Sequence, residues 1–124
     1  MRTFAFAAAA VAVASGEVFF QESFEDGWED RWVKSEWKDA KEIGTWETTE
    51  GKFFGKEGDK ALKTTEDARF YGLSAKMGKS VDNKGKDLVI QYSVKNEQDI
   101  DCGGAYIKLL PDTDQKKFGG DSEY

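Results

Sequence analysis

Apolar and polar residues alternate along much of this chain. In DLVIQYSVK, Leu88, Ile90, Tyr92 and Val94 point one way while Val89, Gln91, Ser93 and Lys95 point the other, the period of a half-buried strand. EVFFQESF, GTWETT, KFFG, ARFYGLSAK and AYIKLL repeat the alternation over shorter stretches. Turn-forming clusters separate them at Glu25-Asp26-Gly27, Glu50-Gly51, Gly55 to Asp59, Asp82 to Gly85 and Pro111-Asp112. Strands spaced in this way predict an antiparallel sandwich or barrel. One segment, WEDRWVKSEWKDAKE at 28–42, has a helical spacing, because Trp28 and Trp32 lie four apart. Aromatics followed by charges suit a strand edge or an extended loop as well, and no good cap precedes them.

The amino-terminal residues follow a different pattern. Arg2 precedes an uncharged run from Thr3 to Ser15, and Ala12, Ala14 and Gly16 are small enough for a signal-peptidase cut, so residues 1–16 read as a secretory signal peptide. The run is shorter than the roughly 20 apolar residues of a membrane-spanning helix, and no later stretch is long and apolar enough to cross a bilayer. Residues 17–124 are then one domain. Without Arg2, 24 acidic residues face 17 basic ones, a charge of −7 that argues against nucleic acid as a partner and draws cations. Four tryptophans, four tyrosines and nine phenylalanines argue for a packed core rather than disorder. An export context makes disulfides available, yet Cys102 is the only cysteine, so its thiol is free or its partner lies outside this sequence.

Composition also restricts the chemistry. With no histidine, the chain has no Ser-His-Asp or Cys-His nucleophilic site, no histidine-bound zinc and no imidazole acid–base catalysis; a single cysteine makes neither a redox pair nor a thiolate cage. Carboxylates remain. An extended NEQDID places Glu97, Asp99 and Asp101 on one face, in the manner of some jelly-roll glycoside hydrolases, whose two carboxyls stand about 5–5.5 Å apart. A solvated strand end accounts for the same residues. Calcium takes six to eight oxygens from carboxylates and carbonyls, and GKEGDK at 55–60 is a polar turn that either faces such an ion or is simply hydrated. In AYIKLL, inward Ala105, Ile107 and Leu109 leave Tyr106 and Lys108 outward on neighbouring pleats about 7 Å apart. A sugar ring lays its C–H face on a tyrosine while its hydroxyls meet lysine donors, and Gly103 and Gly104 clear side chains from the adjoining backbone. Ordinary strand surface is the competing reading.

DARFYGLSAK at 67–76, NKGKDLVIQYSVKNEQDIDCGGAYIKLL at 83–110 and the closing GGDSEY resemble the amino-terminal globular domain of the calreticulin and calnexin family. The resemblance implies an all-β fold, a concanavalin-like jelly-roll antiparallel β-sandwich, here incomplete. It also implies a non-enzymatic calcium-binding lectin chaperone of the endoplasmic reticulum lumen, monomeric, that binds monoglucosylated N-glycans on unfolded glycoproteins. By the same resemblance the glycan-binding residues are Tyr106, Lys108 and Tyr124, and Ca2+ is held by backbone carbonyls of Ser23, Gly58 and Lys60. Cys102 matches the cysteine of the family's lectin-domain disulfide, whose partner is absent from this sequence, as is the family's retention signal. A jelly-roll glycosidase using Glu97 and Asp99 is the enzymatic alternative, and a secreted acidic β-domain that meets protein partners through exposed aromatics is a third reading. Missing strands would leave open sheet edges, so the chain is expected to be unstable or to aggregate.

Overall fold

A computed structural model describes residues 16–99, 101 and 103–123. The expected signal peptide, apart from Gly16, lies outside the described residues, as do Cys102 and Tyr124.

The first packed unit forms around one carboxylate. Glu22 accepts hydrogen bonds from the Ser23 amide at 3.0 Å, the Phe24 amide at 2.7 Å, Arg31 Nε at 2.9 Å and Nη2 at 2.8 Å, and Trp32 Nε1 at 2.9 Å. Turning the chain this tightly puts Phe24 in the left-handed region at φ 55. The Phe24 ring compensates by packing on Trp28 at 6.1 Å and Trp32 at 5.6 Å, with Phe20 edge-on to Trp32 at 5.7 Å. Trp28, 4% exposed, is the one buried apolar side chain among the described residues.

The helix suggested for 28–42 does not form. Trp28–Asp30 is a single 3-10 turn, entered through Gly27 at φ 83, and Trp32–Lys34 is a strand, β1. The physical reason is the Glu22 carboxylate, which draws both Arg31 and Trp32 to it and extends the backbone where a helix would coil. The two tryptophans therefore meet through Phe24 and not along a helix face.

Strand β1 pairs antiparallel with β4, Leu73–Ala75, with Trp32 opposite Ala75 and Lys34 opposite Leu73. A second two-stranded sheet joins β2, Trp46–Thr49, to β3, Ala61–Thr64, again antiparallel, with Trp46 opposite Thr64. Tyr71 links the sheets' neighbourhoods: its ring meets Trp46 edge-on at 5.0 Å, and its hydroxyl accepts from the Thr65 and Glu66 amides while donating to the Glu66 carbonyl. A parallel bridge pairs Ile43 with Phe70. No α-helix occurs among the described residues, which are all-β, as the alternation predicts.

The location of the strands differs from that expectation. Alternation in GTWETT and ARFYGLSAK matures into β2 and β4, whereas EVFFQESF, KFFG, DLVIQYSVK and AYIKLL form no strand. Val89, Ile90, Tyr92 and Val94 are 85%, 55%, 63% and 70% exposed. A period-two pattern specifies which side chains share a face but supplies no edge to bond to, and an unpartnered extended segment stays hydrated.

Candidate functional site

Extended backbone from Ala105 to Leu109 lines an open groove of about 480 Å³. Tyr106 is 76% exposed, and Lys108 Nζ lies 5.8 Å from the centre of its ring, so both side chains stand on the same side of the segment. Sharing a side is what i and i+2 positions of an extended chain dictate, but Ile107 and Leu109, expected to pack inward, are 60% and 46% exposed, because no second layer covers them. The Tyr106 hydroxyl folds back over Gly104, where an added Cβ would come within 3.6 Å of it. Ring face and ammonium together offer one apolar surface with charged donors at its rim, which is what a polyol with a C–H face requires.

The Lys108 ammonium does more than border the ring. It donates to the Gly120 carbonyl at 2.6 Å and the Ser122 carbonyl at 2.9 Å, bringing the closing turn beside Tyr106. That turn is held together by the Ser122 amide on the Gly119 carbonyl at 3.1 Å and by the Gly119 amide on Ser122 Oγ at 2.9 Å. From the other side it is anchored on the segment after β1. Ser35, only 2% exposed, donates its hydroxyl to the Phe118 carbonyl at 2.5 Å with the Lys116 carbonyl 3.3 Å away, and the Glu36 amide bonds the Lys116 carbonyl at 2.7 Å. Trp37 lies against Gly119, where any Cβ would overlap the indole, and its Nε1 reaches Asp121 Oδ1 at 3.4 Å. Sequence reasoning missed Ser35, Trp37 and Gly119, and the adjacent glycines before Asp121 were the one local sign of a close approach.

Glu97 has a different occupation from the one a glycosidase would require. Its Oε1 accepts from the Lys52 amide at 2.6 Å, Lys52 Nζ bonds its carbonyl at 3.0 Å, and Lys63 Nζ is 3.7 Å from Oε2. Gly51, at φ 72, leaves room for this carboxylate, since a Cβ there would collide with it. Lys95 closes the clasp by donating to the Glu50 and Phe53 carbonyls. The Lys52 amide, with help from Lys63, Lys95 and Lys52 side chains, holds the Glu97 carboxyl below the usual carboxylate range against the opposing effect of desolvation. A general acid needs the reverse shift, and the oxygens an ionised nucleophile would use are already engaged by the Lys52 amide and the Lys63 ammonium. Glu97→Gln is therefore expected to speed amide exchange in the 50–53 turn, read by hydrogen-exchange mass spectrometry, and to change no hydrolysis of glucosylated oligosaccharides. Turnover that disappears with the substitution would restore the enzymatic reading.

The residues expected to face calcium sit in two turns linked by one exposed ion pair. Ser23 belongs to the Glu22 turn, and Gly58, at φ 83, donates its amide to Glu50 Oε1. Lys60 Nζ lies 3.4 Å from Asp26 Oδ1 and connects the two turns. Among the described residues no group of three acidic or cysteine side chains is placed to hold a metal.

Comparison with known proteins adds a family to this geometry. The model of the calreticulin family matches residues 20–124. The chain is 55% identical over 113 residues to a calreticulin of Dictyostelium discoideum, covering 90% of this chain and 26% of that relative. A calreticulin of Onchocerca volvulus is 51% identical over 113 residues, covering 89% of this chain and 29% of that relative. For a calreticulin of Chlamydomonas reinhardtii the figures are 46% over 119 residues, 92% and 28%. The chain spans between a quarter and three tenths of the length of these relatives.

Proposed function

Because the chain belongs to the calreticulin family, we propose that it carries the sugar-reading part of a calcium-binding lectin chaperone of the endoplasmic reticulum lumen, one that binds monoglucosylated N-glycans on unfolded glycoproteins. The observation that supports this reading is the exposed Tyr106 ring with the Lys108 ammonium 5.8 Å from its centre, on one side of a bare extended segment. Tyr106 supplies the stacking face, Lys108, whose ammonium is bonded to the Gly120 and Ser122 carbonyls, the positive charge at its rim, and Tyr124 a second aromatic contact. Binding of this kind moves no proton, so a chain without histidine suffices for it. Cys102, three residues before the platform segment begins at Ala105, takes the place of the family's disulfide cysteine. Ca2+ is assigned to the carbonyls of Ser23, Gly58 and Lys60; when bound, it adds positive charge between two turns of an acidic surface and holds them together. Among the described residues no helix is long and apolar enough to cross a membrane.

Calorimetric titration of the chain with a monoglucosylated oligomannoside tests the reading. Tyr106→Ala removes the stacking face and is expected to weaken binding by roughly tenfold or more, a free energy of about 1.4 kcal/mol, while Tyr106→Phe retains most of the affinity. Equal affinity of wild type and Tyr106→Ala, or equal binding of the glycan lacking glucose, would reject the platform.

A further inference from the structure

We propose that Lys108 and Trp37 are positioning residues that clamp the Gly119–Ser122 turn beside Tyr106. The inference rests on the lectin reading above and adds to it a support that reaches back to the segment after β1. Three observations carry it. Lys108 Nζ bonds two carbonyls of the turn, Gly120 at 2.6 Å and Ser122 at 2.9 Å, while also lying against the Tyr106 ring. Gly119 is buried against the Trp37 indole, closer than any side chain would allow. Ser35 and Glu36, in the segment after β1, hold Lys116 and Phe118, fixing the turn's entry on the opposite side.

The turn is therefore held at both ends, and its position relative to Tyr106 depends on a cation bonded to carbonyl dipoles and on an aromatic shelf. Charge-assisted bonds to carbonyls are among the stronger hydrogen bonds, and two of them on one ammonium fix a direction as well as a distance. A ligand resting on Tyr106 would meet the turn as its second wall. Lys108 then contributes to recognition largely through what it holds in place, and Trp37 does so without facing the ligand.

The test separates the clamp from the lectin reading. Hydrogen exchange of the full chain without ligand is expected to show the Gly119 and Ser122 amides exchanging about tenfold faster in Lys108→Met than in wild type, with protection regained in Lys108→Arg. Unchanged protection in Lys108→Met would overturn the clamp. Gly119→Ala forces the turn off the Trp37 shelf while leaving Tyr106 and Lys108 intact, and is expected to weaken binding of the monoglucosylated oligomannoside about tenfold; Trp37→Phe, which keeps a smaller shelf, is expected to fall between it and wild type. Retention of wild-type affinity in Gly119→Ala would overturn the positioning role. A wild-type chain that protects the turn amides through Lys108 yet binds no glucosylated oligosaccharide would support the clamp and sink the lectin assignment instead.

Discussion

Trp28→Ala is expected to remove most of the stability of the folded chain. Trp28 is the one buried apolar side chain among the described residues, at 4% exposure, and it sits where the 3-10 turn, Phe24 and the start of β1 meet. Truncating a buried tryptophan to alanine costs about 3–5 kcal/mol through lost transfer energy and the cavity left behind. A small domain has about 5–15 kcal/mol in all. The other indoles provide an internal contrast. Trp46 and Trp37 are half-buried and pack edge-on at 5.0 Å against Tyr71 and Phe70 respectively, so neighbouring side chains can close over their loss and each alanine variant is expected to cost about half as much. Urea unfolding followed by far-ultraviolet circular dichroism checks the order. Equal losses for Trp28→Ala and for the exposed Tyr92→Ala would show that the core lies elsewhere.

What the sequence reveals and conceals follows from how far apart the interacting residues are. The pairing of Tyr106 with Lys108 is legible because it is local: two positions apart on an extended chain share a side, and the ammonium stands 5.8 Å from the ring centre. The ammonium's bonds to the carbonyls of Gly120 and Ser122, twelve and fourteen residues on, are announced by no local pattern. Strand β2 was legible because its partner β3 follows within fifteen residues, so alternation and ladder arrive together. The stronger alternation of residues 88–94 forms no ladder, since hydrogen-bonding edges are a property of the neighbours and not of the segment. The spacing of Trp28 and Trp32 suited a helix and a bent strand equally, and the deciding group was Glu22, which belongs to a different stretch. Glu97 was noticed for its same-face acids, yet its role is fixed by Lys52 and Lys63, which come from the hairpin more than thirty residues earlier.

Glu22 also sets how the fold should respond to acid. Its hydrogen bonds from Arg31, aided by those from Trp32 and the Phe24 amide, outweigh desolvation and lower its carboxyl from 4.5 to about 2. A carboxyl bound less tightly to protons in the folded chain than in the unfolded one stabilises the fold fully above its unfolded value. That contribution disappears as the pH falls from about 4.5 through about 2. The side chain of Glu22 is 5% exposed but that of Arg31 is 49% exposed, so water screens the pair, and the contribution at neutral pH is about 1–2 kcal/mol, well below what the shift alone would give. Glu22→Gln keeps the shape and one acceptor oxygen while removing the charge that holds Arg31 beside Trp32. It is expected to lower stability by about that amount at pH 6 and to lose less as acid is added. Glu97 and Asp114 are also held below the usual carboxylate range, by the Lys52 and Lys116 amides above all, and both remain in the variant. Their contribution therefore appears in both unfolding curves, and the difference between wild type and Glu22→Gln belongs to Glu22. Urea midpoints from tryptophan emission at pH 6, 4 and 3 should converge for the two proteins, because protonated glutamate and glutamine offer Arg31 nearly the same neutral acceptor. Parallel curves with a constant gap would mean that Glu22 acts through its shape, and the assignment of its charge as the tie between the turn and β1 would fail.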